Sequence, residues 1–506
     1  MRLKRLFLCA AAMGIWSLAS LPFAVADVIV PNIFSDSMVL QQGQSNRVWG
    51  RAAAGEKVQV TISDQTHEAT ADNDGNWSVE LSSLDVGGPH TLRIAGKNTI
   101  EIKDVLVGEV WICSGQSNMQ WAVQNSNDFA LEKVAAKFPE IRMINFPQVG
   151  SQEPIWSHDD RKWKVCTPEN VGSFSAVGYF FARQLHQTLG VPVGMINNAW
   201  GGSACEAWVN RDVLTSDDRF DGMMDRWVNM EKQYESLASK STLTGDDKKQ
   251  RDNLARQMGG NHRPSNIYNG VLKSHLGYGI RGAIWYQGES NAGRAYQYRD
   301  LFPLMISNWR AEWGQGDFPF YWVQLADYMA EKAEPSDSAW AELREAQTMT
   351  MDKLPNTGEA VIIDIGEGKD IHPRNKVDVG RRLARWALAK QYGIDVPHQS
   401  PRYAGMEKDG DKIILSFDHV VGGWRPFDVR QPIGFTIAGE DEKFYAADAK
   451  ILKDGKVQVS SPQVANPVAV RYAWADNPVC NMYSATDLPL TPFRTDDWDG
   501  VTKNNP

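Results

Sequence analysis

The amino-acid sequence predicts an α/β protein in which a parallel sheet, wrapped by helices, lies between two all-β regions. Apolar strands alternate with helical segments across residues 105–395, an alternation typical of a parallel sheet covered on both faces. Residues 27–104 and 396–506 instead follow the two-residue period of strands. A chain of 506 residues is too long for one ordinary hydrophobic core, so we expect domain boundaries at these changes of pattern.

The first 26 residues have the three parts of a secretory signal peptide. Three of the first five residues are basic, residues 6–23 are apolar, and residues 24–26 form the small-x-small cleavage site Ala-Val-Ala. A membrane anchor is the alternative, but the cleavage site directly after the apolar run argues against it. We therefore expect an exported bacterial protein, periplasmic or extracellular, that begins at Asp27 and has no stable membrane insertion after cleavage.

The composition excludes one class of partner and leaves the state of the cysteines open. A net charge of −9 and a pI near 5.6, without a basic run, argue against a nucleic-acid partner. No metal or cofactor motif is found, because the chain has neither a phosphate-binding loop nor a His-Glu-x-x-His motif. Four widely spaced cysteines follow the signal peptide and are compatible with disulfides or with buried thiols: Cys113, Cys166, Cys205 and Cys480. The sequence does not indicate the oligomeric state.

The first all-β region predicts a small β-sandwich. Apolar and polar residues alternate over residues 58–62 and 77–81, and the turn sequence Asp-Asn-Asp-Gly-Asn at residues 72–76 separates them. The last region is either a second β module or a companion to the first. Its predicted strands cover residues 413–417, 433–437, 457–460 and 468–474.

The middle region supplies the strands and helices of the predicted parallel sheet. Its predicted strands cover residues 105–113, 191–197, 282–286, 318–325 and 360–365. Helices are predicted over residues 174–189 and after Pro373, which fits the first turn of a helix. A charged helical insertion at about residues 215–262 interrupts the series, and we expect a helical hairpin with a structural role beside the site.

A serine lies at the point where the first predicted strand of this sheet ends. The strand passes through Cys113, the chain breaks at Gly115, and residues that can start a helix follow Ser117. A serine on such a turn is exposed at the carboxyl edge of the sheet, where open α/β folds place their sites. The positive end of the helix dipole favours an alkoxide or a developing oxyanion there. The alternative is a serine that only caps a helix.

Two further turns follow predicted strands. In the sequence Ala-Trp-Gly-Gly-Ser, Gly201 and Gly202 let the backbone approach a ligand and point its amides at an oxyanion, although an ordinary turn also uses glycine. After the strand at residues 282–286, Gln287 has an amide for an oxyanion and Glu289 has a carboxylate to orient a donor or the substrate. The alternative for this glutamine and glutamate is that they satisfy buried backbone groups.

A histidine precedes the last helix of the middle region. His372 lies at a loop–helix junction, where a histidine can take the serine proton and return it to the leaving group. Asp370, two residues earlier, is a candidate to hold the imidazole tautomer. Met119 stands where Gly-x-Ser-x-Gly needs its last glycine, which argues against the ordinary α/β-hydrolase elbow.

Three of these stretches together resemble the sialate O-acetylesterase family of the SGNH hydrolase superfamily. They are Ser-Gly-Gln-Ser-Asn-Met at residues 114–119, Trp-Tyr-Gln-Gly-Glu-Ser-Asn at 285–291 and Asp-Ile-His-Pro-Arg-Asn-Lys at 370–376. Two further segments, at residues 319–325 and 471–478, are also similar, so the resemblance covers nearly the whole mature chain. It implies a flavodoxin-like three-layer SGNH hydrolase domain and a serine esterase that uses no metal or other cofactor.

The resemblance also implies roles for individual residues. Ser117 corresponds to the nucleophile and His372 to the base, while Gly201 or Gly202, Gln287 and the Ser117 amide correspond to oxyanion donors. The Asp-x-x-His pattern of the superfamily would place its acid at Lys369, so either Asp370 completes a triad or a Ser–His dyad operates. Four neighbouring side chains are candidates to orient or line the substrate site: Glu289, Asn291, Trp121 and Trp200.

The expected function is removal of O-acetyl groups from carbohydrates through an acetyl-enzyme intermediate. Acetylated plant polysaccharides such as xylan or xyloglucan are alternative substrates, because families of this type also contain such enzymes. A non-catalytic carbohydrate-binding protein on an esterase scaffold is a rival from another class, and the intact serine and histidine motifs argue against it. A peptidase has no recognisable peptide-binding signal in this sequence.

Overall fold

The computed structural model describes residues 27–505 and confirms the α/β class, with a large mixed sheet and additional all-β sheets. The predicted signal peptide therefore lies outside the described residues. Six strands form the first all-β region: β1 (Val39–Gln41), β2 (Asn46–Arg51), β3 (Lys57–Ile62), β4 (Gln65–Thr70), β5 (Asn76–Leu81) and β6 (Gly87–Ala95). Their inward side chains alternate with exposed ones, as in Val58, Val60 and Ile62, which produces the two-residue pattern of the sequence.

One long strand, β7 (Thr99–Gly115), joins this region to the rest of the molecule. Its first half pairs antiparallel with β6, and its second half pairs in parallel with other strands of the central sheet. The side chains from Val105 onward are almost all buried, whereas exposed residues alternate before that point. The change of pattern at residue 105 thus falls inside a continuous strand.

Parallel strands form the central part of the large sheet. Its other strands are β8 (Phe138–Asn145), β9 (Lys164–Cys166), β10 (Val193–Asn197), β11 (Gly282–Tyr286), β12 (Phe320–Val323) and β13 (Thr357–Ala360). The order is β13-β12-β11-β7-β10-β8-β9, and only the pairing of β9 with β8 is antiparallel in this series. The carboxyl ends of β7, β10 and β11 therefore lie side by side, and each is followed by one of the polar turns identified in the sequence.

Ten α-helices accompany the strands in the described chain. They are α1 (Ser117–Gln120), α2 (Phe129–Ala135), α3 (Ala176–Leu189), α4 (Arg211–Thr215), α5 (Asp221–Ala238), α6 (Gly245–Met258), α7 (Asn266–Gly270), α8 (Ala295–Trp313), α9 (Ala339–Lys353) and α10 (Lys376–Lys390). Ser175 caps α3 by accepting a hydrogen bond from the Gly178 amide, and Asn375 caps α10 in the same way through Asp378.

Successive side chains of β11 enter different hydrophobic clusters, so both faces of the sheet are buried. Ala283 and Trp285 pack with residues of α8 and α9, whereas Ile284 and Tyr286 pack with residues of α3 and α10. A strand that is buried on both faces has a continuous apolar sequence, which is why residues 282–286 were predictable.

Two details of the predicted middle region were wrong. The strand expected at residues 360–365 overlaps β13 only at Ala360, where β13 ends. The apolar residues 361–365 that follow are irregular chain. Pro373 does not lie in the first turn of a helix, since α10 begins at Lys376 after the cap residue Asn375.

The charged insertion forms a helical hairpin, as predicted, from α5 and α6. Thr244 and Asp247 make a capping box at the start of α6. Glu231 of α5 binds both Arg211 and Arg263, each at 2.8 Å, and so fixes the hairpin to the segments on either side of it.

Two four-stranded antiparallel sheets form the C-terminal region. The strands are β14 (Arg402–Asp409), β15 (Lys412–Asp418), β16 (Phe435–Ala438), β17 (Phe444–Ala446), β18 (Asp448–Ile451), β19 (Val457–Ser460), β20 (Ala469–Tyr472) and β21 (Phe493–Arg494). Apolar residues from both sheets share one hydrophobic cluster, which also includes Val361 and Ile363 from the middle region.

The described chain also answers the question of the cysteines that the sequence left open. The four cysteines are free, and Cys113, Cys166 and Cys205 are buried thiols rather than disulfide partners. In residues 27–505, no helix is both long and apolar enough to cross a membrane.

Candidate active site

Ser117 lies at the end of β7, where the backbone conformation is specific. Gly115 has a φ of +129°, and a Cβ at this position would lie 2.2 Å from the Tyr286 carbonyl oxygen of β11. Only glycine fits such a close approach in that conformation. The turn makes Ser117 the first residue of α1 and leaves its side chain partly exposed at the carboxyl edge of the sheet.

His372 contacts this serine directly. The distance between His372 Nε2 and Ser117 Oγ is 2.8 Å, although the two residues are 255 positions apart in the chain. The imidazole stacks on the Trp121 ring, with 4.9 Å between ring centroids and 13° between planes. Burial lowers the pKa of His372 below its ordinary value, so the neutral form that can accept the serine proton predominates at neutral pH.

Asp370 lies beside the histidine but does not make a short contact with the ring. Its Oδ1 is 3.5 Å from His372 Nδ1 and accepts a hydrogen bond of 2.9 Å from the His372 backbone amide. The negative charge of Asp370 partly opposes the effect of burial and raises the pKa of His372. Because 39% of the Asp370 side chain is exposed, solvent screens this charge.

The Gly201–Gly202 turn packs against Ser117. A Cβ at Gly201 would lie 3.4 Å from the Ser117 Cβ, so the turn passes within van der Waals distance of the serine. The Gly201 amide donates a hydrogen bond of 2.8 Å to Oε1 of Gln120, an exposed side chain. Within the described part of the chain, the amides of Ser117 and Gly202 have no hydrogen-bond acceptor, so they are available to an incoming oxygen.

Gln287 does not have the geometry expected of an oxyanion donor. Its side chain is fully buried, and its amide nitrogen donates to the Ser203 carbonyl at 3.1 Å and to Asn291 Oδ1 at 2.7 Å. Both amide hydrogens are therefore engaged. Asn291 is buried too and donates to Glu206 while accepting from Gln287, so hydrogen bonds within the protein hold both side chains.

A buried polar network that the sequence did not reveal lies beneath the Ser117–His372 pair. Asn118 donates to Glu289 Oε1 at 2.8 Å and to the Ile371 carbonyl at 2.9 Å. Lys376 Nζ donates to Asn118 Oδ1 at 2.6 Å and lies over the Tyr286 ring. Burial lowers the pKa of Lys376 to about 7 and raises the pKa of Glu289.

This network connects the serine to the histidine loop. Asn118 follows Ser117 in the chain, and its hydrogen bond to the Ile371 carbonyl fixes the residue before His372. Both Asn118 and Lys376 belong to stretches that the sequence singled out, but no periodicity indicates that a lysine at a helix start is buried. Glu289 accepts a hydrogen bond from Asn118, and its role in orienting a donor or the substrate stays a prediction.

Replacing Asn118 by alanine should lower kcat/KM by about 10- to 100-fold, because a misplaced base costs a factor of this size. It should also lower the free energy of unfolding by roughly 2 kcal/mol, since Lys376 and Glu289 lose a buried partner. Asn127→Ala is the matched control: Asn127 is exposed and contacts the Arg374 carbonyl through its backbone only. Aryl acetate hydrolysis and thermal unfolding measure both effects, and equal activity of the two variants would contradict the anchoring role.

The two candidate tryptophans occupy different positions. Trp121 forms one wall of the site by stacking on His372. Trp200 is only partly buried, packs against the larger hydrophobic cluster and precedes the Gly201–Gly202 turn. Trp121 is therefore the aromatic side chain that contacts the histidine, and Trp200 supports the glycine turn.

Comparison with known proteins identifies the family of the chain. A family model described as carbohydrate esterase, sialic acid-specific acetylesterase, matches residues 107–242 and 261–389. The chain is similar to curated proteins named sialate O-acetylesterase: 30% identical to the one from Mus musculus over 90% of this chain and 92% of the relative, and 29% identical to the one from Homo sapiens over 91% of each.

A solved structure is similar over most of the chain. It is the crystal structure of a carbohydrate acetylesterase from Xanthomonas citri, with a TM-score of 0.81, 38% sequence identity and coverage of 93% of this chain and all of the other. The resemblance that the three sequence motifs indicated is thereby confirmed. The chain belongs to the sialic acid-specific acetylesterase family of carbohydrate esterases and is a carboxylic ester hydrolase.

Proposed function

We propose that this protein is an exported serine esterase that removes O-acetyl groups from carbohydrate hydroxyls through an acetyl-enzyme intermediate. The observation that carries the proposal is the distance of 2.8 Å between Ser117 Oγ and His372 Nε2. A serine hydroxyl is a weak nucleophile unless a base takes its proton, and this contact supplies the base. Membership of the carbohydrate esterase family supports an ester as the substrate. The position of Ser117 at the exposed edge of the sheet supports the view that a sugar can reach it.

In the first half-reaction, Ser117 Oγ attacks the acetyl carbonyl carbon while His372 Nε2 takes the hydroxyl proton. The tetrahedral intermediate collapses, the bond from carbon to the sugar oxygen breaks, and the imidazolium returns its proton to that oxygen. In the second half-reaction, water gives its proton to His372 and attacks the acetyl-serine. Collapse of the second intermediate releases acetate and restores the serine hydroxyl.

The oxyanion is held by backbone amides in this mechanism. The Ser117 amide lies at the first position of α1, and the Gly201–Gly202 turn packs against the serine from the other side. The Gly202 amide has no acceptor among the described residues, whereas the Gly201 amide becomes available when the exposed Gln120 side chain leaves it. Gln287 is not among these oxyanion donors, because both hydrogens of its side-chain amide are donated to Ser203 and Asn291.

The finer fold assignment is also part of the proposal. Six parallel strands lie in the order β13-β12-β11-β7-β10-β8, and the five of them other than β8, numbered in chain order, follow the flavodoxin-like order 2-1-3-4-5, with β8 added beside β10. Helices α3 and α10 on one face and α8 and α9 on the other correspond to the three layers of an SGNH hydrolase. We infer domain boundaries near residues 104 and 395, and export directed by residues 1–26.

O-acetylated sialic acid is the first candidate substrate, because the curated relatives are named sialate O-acetylesterases. Acetylated xylan and acetylated xyloglucan remain the alternatives. Acetate release by the mature chain, measured on these three substrates and on an aryl acetate, tests the assignment. Release from a polysaccharide but not from the sialate ester would identify an acetylated plant polysaccharide as the substrate. No release of acetate from any of these compounds would refute the esterase function.

The role of Asp370 can be tested by the pH dependence of Asp370→Asn. Activity requires neutral His372, so the acid limb of kcat/KM follows its pKa. The Asp370 charge raises that pKa, so removing the charge should lower it and move the acid limb to lower pH. We expect only about a tenfold loss of kcat at the plateau, because Asp370 is 39% exposed and 3.5 Å from the ring, whereas buried triad aspartates contribute about 10⁴-fold.

Measurement of kcat/KM between pH 4 and 9 with an aryl acetate separates the two mechanisms. The tenfold loss with an acid limb at lower pH supports a Ser–His dyad that Asp370 assists. A loss near 10⁴-fold would show a full triad. Asp378→Asn is the matched control, because Asp378 is a half-exposed carboxylate on α10 whose hydrogen bond from Asn375 an asparagine oxygen can still accept. The acid limb of this variant should stay in place.

A further inference from the structure

A lysine that the mechanism above does not use is buried beneath the Ser117–His372 pair. Lys376 is the first residue of α10, four positions after the histidine, and its side chain is fully buried. Its Nζ atom donates to Asn118 Oδ1 at 2.6 Å and lies 5.3 Å from the centroid of the Tyr286 ring. Lysine side chains are rarely buried unless a carboxylate is paired with them, so this position calls for an explanation.

No carboxylate forms an ion pair with this lysine in the described part of the chain. The carboxylates that face Lys376 are Glu289, which follows β11, and Glu367 and Asp370, which lie in the loop before α10. Helix α1 contributes only uncharged side chains. Burial lowers the pKa of Lys376 to about 7, and the three carboxylates only partly oppose it. The ammonium charge is therefore not cancelled by a direct contact and acts on the groups around it.

The hydrogen bond from Lys376 fixes the orientation of the Asn118 side chain. The nitrogen of this amide donates to Glu289 Oε1 at 2.8 Å and to the Ile371 carbonyl at 2.9 Å. It can face both acceptors when the amide oxygen faces a donor, and Lys376 supplies that donor. Because Asn118 follows the nucleophile and Ile371 precedes the base, the lysine holds the link between the two reacting side chains.

The charge of Lys376 also acts on the base. Burial has the largest effect on the pKa of His372 and lowers it, whereas Asp370 raises this pKa and Lys376 lowers it. With its own pKa near 7, the lysine is mostly charged in more acidic solutions, where the imidazole takes up its proton. The positive charge opposes that second positive charge and so keeps the imidazole neutral.

We propose that Lys376 is a positioning residue of this esterase, which fixes the Asn118 amide between the serine and histidine segments and favours the neutral imidazole through its positive charge. It acts through Asn118 and His372 and not by contact with the substrate, because its side chain is fully buried. A lysine that only filled space would have neither effect. The proposal rests on the esterase function proposed above and adds to it a residue that tunes the base.

The pH dependence of Lys376→Met separates the two effects. Activity requires neutral His372, so the acid limb of kcat/KM follows its pKa. Loss of the positive charge should raise that pKa and move the limb to higher pH, opposite to the shift expected for Asp370→Asn. At pH 8 to 9 the wild-type lysine has mostly lost its charge, so this plateau reports positioning alone. There we expect kcat to fall about 10- to 100-fold with little change in KM.

Three further variants complete the series. Lys376→Gln is also uncharged and should move the acid limb in the same direction, whereas Lys376→Arg keeps the charge and should leave the limb near its wild-type position. Lys390→Met is the matched control, because Lys390 is exposed at the last residue of α10. A wild-type limb or a wild-type plateau in Lys376→Met would overturn the proposal. Should Lys376→Met fail to fold, a wild-type limb in Lys376→Gln would overturn it equally.

A titration of the imidazole itself keeps this proposal separate from the esterase function. NMR of ¹³C-labelled histidine requires no catalysis, and His372→Gln identifies the signal among the nine histidines. We expect a higher imidazole pKa in Lys376→Met than in the wild type. Aryl acetate hydrolysis with an unchanged imidazole pKa would refute the role of Lys376 and leave the esterase standing. A raised pKa in a protein that releases no acetate would refute the esterase and leave the electrostatic effect of Lys376 standing.

Discussion

Ser117→Ala should lose acetate release almost completely, with kcat for an aryl acetate lower by about 10⁴-fold or more. The variant has no hydroxyl for His372 to activate, so no acetyl-enzyme can form and only direct attack by water remains. Folding should be unaffected, because the Ser117 side chain is partly exposed and no buried group depends on it apart from the contact with His372. Mass spectrometry adds a second readout: an organophosphate should label the wild type at Ser117 and leave the variant unlabelled.

Ser114→Ala is the matched control, three residues earlier in the same stretch. The Ser114 hydroxyl is buried in β7 and has no hydrogen-bond partner among residues 27–505. Its removal therefore deletes a serine hydroxyl without removing an interaction, and activity should stay close to that of the wild type. Full turnover in purified Ser117→Ala, or labelling at a different serine, would remove Ser117 from the mechanism.

The parts of the fold that could be predicted are those whose burial leaves a pattern in the sequence. Residues 282–286 and 457–460 coincide with β11 and β19, because the first is buried on both faces and the second alternates. The apolar run at residues 360–365 misled the prediction for a physical reason. Val361 and Ile363 pack into the C-terminal cluster while Ile362 and Ile365 pack beneath the central sheet, so the run is apolar without being a strand.

The candidate site also has residues that the sequence could predict and residues that it could not. Ser117 and His372 could be named because each lies at a junction of secondary structure with a motif around it, and the structure brings them to 2.8 Å. Gln287 was assigned to the oxyanion because sequence cannot tell an amide that faces a ligand from one held by Ser203 and Asn291. Lys376 was missed because its burial depends on partners more than 80 residues away, Glu289 and Asn118.

Arg344→Met should lower the free energy of unfolding by roughly 3 kcal/mol, the largest loss of stability that we expect from a single substitution of a buried residue. Arg344 on α9 is fully buried, and burial lowers the pKa of its guanidinium to about 10, so it stays charged at neutral pH. It donates to the Leu325 carbonyl at 3.0 Å, just after β12, and to the Ala475 and Asp476 carbonyls at 2.8 and 2.7 Å in the C-terminal region.

Methionine has a similar volume but cannot donate, so these carbonyl groups on both sides of the junction would lose their donor. Removing the buried charge recovers part of its desolvation free energy, which is why we expect about 3 kcal/mol and not the sum of the hydrogen bonds. Arg381→Met is the control, because Arg381 is 57% exposed and pairs with Asp378 at 3.7 Å. Urea unfolding followed by tryptophan fluorescence measures both variants. Equal midpoints would mean that the C-terminal sheets are held to the esterase by their shared apolar cluster and not by Arg344.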